Sequence, residues 1–399
     1  MLQLLTLVTL ASASLLEAPL GYTSHNGKNY NTIKVDVGTP KQSFELVLDT
    51  GSSDTWVPAP QIKSSVFFDK NKSSTYKTGL KLFAIGYGDG DYAGGYWSTD
   101  TISVGAAEAK EATFGLALSA STDLGTFGIG PPENSASLDQ KFGWGLGFAY
   151  THFVDQLSEQ HGISPVFSTW MAGKDRTGVI TFGGYDKSRF EGNLNTVPIL
   201  AGLEYRAQSE LLKISDYTYP HPLVYKIDTG AEQIHLPPKI YNKIAQHFET
   251  VEGYEGAVYC GQTPRGSIEF QFGHGQISVP FSDLSTPYKQ DGKTVKAKDG
   301  RDICVFGVVP SDSYEFVLGG AFLRSAYICF DWEKQQVGLA QAKKEVSAER
   351  DFVAVKRNIV SQYVGINATT NPLPPQANGA AKTSVGLIAV IGGLVALFI

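Results

Sequence analysis

The chain contains two copies of one short pattern, FELVLDTGSSDTWVP around Asp49 and LVYKIDTGAEQIHLP around Asp228, 179 residues apart. In each copy an apolar, strand-like run leads into Asp-Thr-Gly, which puts one carboxylate at a strand end on a tight turn. A single Asp-Thr-Gly is an ordinary turn and constrains little. Two of them constrain more, because each is followed by a second short element ending in glycine: Thr126-Phe127-Gly128 and Val317-Leu318-Gly319, at offsets of 79 and 91 residues. Glycine at such a place lets another backbone segment pass close beneath the turn. The chain therefore reads as a diverged internal repeat with one half-site per half. If the two turns face each other, their carboxylates stand roughly 3 Å apart and cannot both ionise. Such a pair shares a proton and supplies an acid and a base together, as splitting an amide with water and no covalent intermediate requires.

Composition fits this reading. With 399 residues, 43 of them Gly, 19 Tyr and 22 Phe, the chain is long enough for two sizeable cores, and its aromatic, glycine-punctuated runs favour strands over helices. A net charge of −6 and the lack of any basic run argue against nucleic acid as a partner. The seven histidines contain no HExxH and no paired spacing for zinc. Asp89 and Asp91 shape a glycine-rich turn and are too few for a calcium loop. The run GWGLGFA from Gly143 lacks the Lys-Ser/Thr of a phosphate loop. No metal or other cofactor is expected.

These landmarks resemble the pepsin-like aspartic endopeptidases. The resemblance runs from about Tyr30 to about Ala342 and includes DTGSSDTWVP, SSTYKTG, IGYGDGDYAGG, TFGIG, IDTG and VLGGAFLRSAYICFDWEKQQVGLA. It implies an all-β, bilobal fold with pseudo-twofold lobes and a central cleft, acting on polypeptide substrates. Because both Asp-Thr-Gly turns lie in one chain, it also implies a monomer. Asp49 and Asp228 would be the catalytic dyad, supported by Thr50, Gly51, Ser52, Thr229 and Gly230. Ser52 stands where the family uses a hydroxyl to hydrogen-bond the first aspartate, and the matching residue of the second half is Ala231, which has none. Tyr87 and Gly88 match the family's flap, with Trp56 as the usual neighbour of the tyrosine. Lys226 replaces an aliphatic residue and Glu232 a small hydroxyl residue. Both are taken as specificity residues, either paired across the turn or pointing to water. The resemblance further pairs Cys260 with Cys304 and leaves Cys329, in AYICFD, as a buried small hydrophobe.

The ends of the chain suggest a route to the cell surface. MLQLLTLVTLASA has an apolar core and an Ala11-Ser12-Ala13 cleavage pattern, as in a secretory signal peptide. Only 48 residues precede Asp49, so a long inhibitory prosegment is not expected. Sequons at Asn71 and Asn367, and cysteines suited to an oxidising compartment, agree with secretion. After Ala342 the pattern gives way to a polar, Pro-containing stretch and then to fifteen apolar residues, Val385 to Ile399. The small residues Asn378, Gly379 and Ala380 before that tail suggest a glycosylphosphatidylinositol signal with Asn378 as the attachment candidate. The expected organisation is a signal peptide at 1–13, catalytic lobes at 22–195 and 196–345, a stalk at 346–384 and an attachment signal at 385–399. Two functions fit: a surface-tethered endopeptidase similar to the anchored yapsin-type enzymes of fungi, on the plasma membrane or cell wall, or a catalytically silent relative that binds peptides in the same cleft. Both aspartates and the flap tyrosine favour the enzyme.

Overall fold

A computed structural model describes residues 15–138, 147–200, 202–290, 292–313, 315–346 and 348–356. The signal-peptide residues, Asn367, Asn378 and the apolar tail lie outside the described residues. Strands dominate the fold, and among the described residues the only α-helical segments are α1 (Phe153–His161), α2 (Pro238–Ala245) and the single turn α3 (Gly320–Leu323). The strand-rich content agrees with the all-β class expected from the sequence.

The strands follow from period-two patterning. In Ser267–Phe272 the residues Ile268, Phe270 and Phe272 are buried while the polar residues between them are half-exposed. Around the first Asp-Thr-Gly, by contrast, Leu46, Val47 and Leu48 are all buried, because that strand is covered on both faces.

In the first half the strands are β1 (Leu16–His25), β2 (Lys28–Val37), β3 (Gln42–Asp49), β4 (Trp56–Pro58), β5 (Lys77–Gly86), β6 (Tyr92–Val104), β7 (Ala107–Ala120), β8 (Thr126–Gly128), β9 (Val166–Trp170) and β10 (Gly178–Phe182). All ten belong to one thirteen-stranded sheet. That sheet also takes in Asn195–Pro198, Ala326–Asp331 and Gln336–Gln341, with Ala326–Asp331 antiparallel to β9. Strands from late in the chain thus close a sheet begun at its start. The sheet begins at Leu16, upstream of residue 22.

The repeat inferred from sequence is present in the hydrogen-bonding pattern. β3 runs parallel to β8, β8 antiparallel to β4, and β4 parallel to β7. In the second half, Leu223–Ile227 runs parallel to Phe316–Leu318, which is antiparallel to Ile234–Leu236, which in turn is parallel to Val308–Pro310. The two glycines picked out by the sequence serve the same purpose in each half. A methyl group on Gly128 would lie 2.5 Å from the Asp54 nitrogen, and one on Gly319 would lie 2.5 Å from the Gln233 carbonyl oxygen. Each is a place where the chain leaving the Asp-Thr-Gly turn crosses the neighbouring strand too closely for any Cβ.

Aromatic packing carries much of the core. Phe127, one residue before Gly128, is fully buried and meets Phe153 of α1 edge to face at 5.1 Å, and Phe153 in turn meets Phe182 at 5.9 Å. Phe167 of β9 stacks on Phe330 at 4.7 Å, joining early and late strands. Cys260 and Cys304 form the disulfide, with a Cα–Cα distance of 5.1 Å, and Cys329 is free and buried. Asn71 is exposed in a short 3-10 turn, Lys70–Lys72. The disulfide closes a sequence separation of 44 residues. Replacing both cysteines by serine should lower stability by about 2–4 kcal/mol, mainly by releasing the unfolded chain; denaturant unfolding of the double variant against the parent checks this, with a change below about 0.5 kcal/mol counting against it.

Candidate active site

The residues after the two aspartates bind the turns to each other. The Thr50 backbone N–H donates to Thr229 Oγ1 at 3.0 Å, and the Thr229 N–H donates to Thr50 Oγ1 at 3.0 Å. Each hydroxyl then donates onward, Thr50 to the Ile227 carbonyl at 2.9 Å and Thr229 to the Leu48 carbonyl at 2.7 Å. Both threonines are fully buried, so the four bonds hold without competition from water. Asn31 of β2 adds a bond from its side-chain amide to the Thr229 carbonyl at 3.1 Å.

This lock brings the carboxylates of Asp49 and Asp228 together. A methyl group placed on Gly230 would lie 2.6 Å from Asp49 Oδ1, so the second turn presses against the first aspartate. Asp49 Oδ1 accepts the Gly51 N–H at 2.8 Å, and its Oδ2 accepts the Ser52 hydroxyl. Asp228 Oδ1 accepts the N–H groups of Gly230 at 2.9 Å and Ala231 at 3.3 Å. The two acids differ electrostatically. Burial, and then the neighbouring Asp228 charge, push Asp49 up to about 7, against the opposing bonds from Ser52 and Gly51. Burial also pushes Asp228 up, but the Lys226 ammonium beside it outweighs this and holds Asp228 below the usual carboxylate range. A pair split in this way carries one acid and one base.

Lys226 and Glu232 are not bonded across the turn and do not simply face water. Lys226 Nζ lies 2.8 Å from Asp228 Oδ2 and 3.6 Å from Glu204 Oε1. Glu232 instead pairs with Arg324, just past α3, at 2.9 Å, and both side chains are only 8% exposed. Strand register explains the first arrangement. Arg206 stands opposite Lys226 in an antiparallel pair, which brings the preceding Glu204 within reach. Sequence reasoning missed Glu204, Arg324 and Asn31. The only available signal for Glu204 was its position two residues before a strand residue, and that register is not readable from one strand alone.

Above the turns, the β5–β6 hairpin ends in a tight turn closed by the Tyr87 N–H to the Asp91 carbonyl at 2.8 Å. The Tyr87 hydroxyl accepts the indole N–H of fully buried Trp56 at 2.8 Å and donates to Thr126 Oγ1 at 3.2 Å. Burial, reinforced by the Asp49 charge, holds the Tyr87 phenol far above its ordinary range, so it stays a neutral donor. Gly88 is exposed at the tip with open space around it. Lys28, from the β1–β2 hairpin, pairs with Asp89 at 2.7 Å and Asp91 at 2.8 Å. Beneath the first turn, buried Asp54 accepts bonds from the Ser135 hydroxyl at 2.6 Å and the Ala136 N–H at 2.7 Å.

The lock sets a testable cost. Thr229→Val removes a donor and an acceptor and leaves the Thr50 N–H buried without a partner, which should cost about 2–3 kcal/mol. Thr50→Val should cost the same, by the reciprocity of the bonds. Chemical denaturation of both variants measures this, and a loss below about 0.5 kcal/mol in either would contradict the arrangement.

Residues 29–342 match the family of eukaryotic aspartyl proteases. The chain is 33% identical over 351 residues to an acid protease of Saccharomycopsis fibuligera, covering 82% of this chain and 84% of that one. It is 30% identical over 397 residues to the probable aspartic-type endopeptidase opsB of Aspergillus oryzae, covering 90% of this chain and 76% of that one. To secreted aspartic protease 3 of Candida albicans it is 30% identical over 332 residues, covering 77% of this chain and 78% of that one. With its repeated Asp-Thr-Gly turns locked face to face, the chain belongs to the eukaryotic aspartyl protease family and is an aspartic-type endopeptidase.

Proposed function

We propose that this protein is a secreted, surface-tethered endopeptidase that hydrolyses polypeptides with Asp49 and Asp228 as its catalytic dyad. The observation that carries the reading is the pair of buried carboxylates held together by the reciprocal Thr50 and Thr229 bonds. In the reaction, the ionised member takes a proton from a water molecule whose oxygen attacks the scissile carbonyl carbon. The protonated member hydrogen-bonds the carbonyl oxygen as it gains charge, and the C–N bond then breaks with a proton delivered to the leaving amine. Gly51, Ser52 and Gly230 orient the carboxylates. Tyr87 and Gly88 form a flap that closes over substrate, with Trp56 fixing the tyrosine. Lys226 and Glu232 border the cleft on the second half. No cofactor is required, and one chain supplies the whole site.

The extracellular setting is supported by the apolar N-terminal segment, the disulfide and the secreted relative in Candida albicans. The tether is supported by the apolar run from Val385 to Ile399 and the small residues around Asn378. Glycans at Asn71 and Asn367 fit the same route.

Two outcomes follow. Asp49→Asn and Asp228→Asn should each abolish cleavage of a denatured polypeptide at pH 4 to 6 while leaving the unfolding midpoint close to the parent's, and retained turnover in either pure variant would refute the dyad. If the tail is exchanged for a lipid, phosphatidylinositol-specific phospholipase should release the protein from cells; a membrane-bound form still carrying Ile399 by mass spectrometry would refute the tether.

A further inference from the structure

The two half-sites share one carboxylate contact and differ chiefly in what holds the other oxygen. In both turns Oδ1 of the aspartate accepts the N–H of the following glycine, Gly51 at 2.8 Å and Gly230 at 2.9 Å. In the first turn Oδ2 is held by the Ser52 hydroxyl. In the second turn the matching residue is Ala231, whose side chain has nothing to donate, and Asp228 Oδ2 meets Lys226 Nζ at 2.8 Å instead. The residue that matches Lys226 in the first half is Val47, which is buried and apolar. A missing hydroxyl and an added ammonium thus occur in the same half-site and concern the same atom.

We propose that Lys226 is the positioning residue of the second half-site: its ammonium takes the place of the missing hydroxyl on Asp228 Oδ2 and assigns the shared proton to Asp49, making Asp228 the base. This rests on the dyad reading above. A hydroxyl can serve either protonation state of a carboxyl group, because it both donates and accepts. An ammonium has only donors and a positive charge, so it favours the ionised state alone. Exchanging one for the other therefore breaks the symmetry of the pair.

The surroundings leave that charge acting on the dyad. Glu204 is farther from Lys226, at 3.6 Å, and is engaged by Arg206, whose Nε donates to it at 2.8 Å. His235, from Ile234–Leu236, is held below its ordinary range by burial, with the Lys226 charge acting in the same direction and Asp228 against it. Tyr87 keeps its proton. Among the described residues, Asp49 also faces Lys226 and Asp228, and it is the carboxyl pushed up to about 7.

Turnover needs Asp228 ionised and Asp49 protonated. It appears as pH rises through the lower ionisation of the pair and disappears as pH rises through the upper one. Removing a nearby cation raises both. In kcat/KM against pH on a fluorogenic peptide, K226M should move the acid limb upward by about one unit or more, a loss of about tenfold on that limb. K226R keeps the charge and should stay near the parent profile. K226M/A231S restores a hydroxyl to the same oxygen and should bring the acid limb part of the way back, which a purely structural lysine would not allow. A231S alone should change the profile less than it does in the K226M background, because the ammonium already holds that oxygen. K226Q, a donor without charge, replaces K226M if the latter does not fold, and should shift the limb in the same direction. Superimposable parent and K226M or K226Q profiles, or no rescue by A231S, would overturn the proposal. Turnover retained in D49N or D228N would instead overturn the dyad reading, so the two failures are distinguishable.

Discussion

The site depends on the mutual bonding of Thr50 and Thr229. Each threonine donates its backbone N–H to the other's hydroxyl, and each hydroxyl donates onward to a strand carbonyl of the opposite half. Every group in this ring is both used and buried, so neither turn can shift alone without stranding a polar atom. Two carboxylates with burial working against their charge would otherwise be driven apart. The ring holds them together, where burial and then the Asp228 charge raise Asp49 while the Lys226 ammonium keeps Asp228 ionised. Placement beneath the ring follows from Gly128 and Gly319, where a second strand crosses too closely for a side chain.

Much of this was legible in the sequence because it is encoded twice. The repeated Asp-Thr-Gly, the two later glycines and the order of apolar runs imply equivalent half-sites, and the strand pairings around Asp49 and Asp228 match element for element. Tyr87 and Trp56 were readable as neighbours from the family resemblance, and they share a hydrogen bond. The Cys260–Cys304 disulfide was readable on the same basis.

The partners of the charged residues were not legible, for a physical reason. A side chain two residues before a strand-end aspartate shares its face, which places Lys226 near Asp228 but does not choose among the carboxylates within reach. That choice depends on the register of Arg206 against Lys226 and on Arg324 standing under Glu232, a separation of 92 residues in the chain. Glu232 and Lys226 look like partners in sequence, yet each has a better one in space. Burial also changes the meaning of the pairs. Glu232 and Arg324 are both almost enclosed, so removing either would leave a buried charge, whereas the Lys28 contacts with Asp89 and Asp91 are largely solvated and contribute little to stability.

The central claim is that the two aspartates form one unit holding a single shared proton across the acidic range. Carbon-13 NMR of protein labelled at the aspartate carboxyl carbons, titrated from pH 3 to 8 and assigned with the Asp49→Asn and Asp228→Asn variants, tests it most directly. The account predicts that the Asp49 carboxyl titrates near neutral pH while Asp228 remains ionised well below it, that Asp228→Asn moves Asp49 down toward the ordinary carboxylate range, and that Asp228 stays low in Asp49→Asn because Lys226 still holds it. Two independent titrations, both in the usual carboxylate range and each unaffected by loss of the other residue, would contradict it.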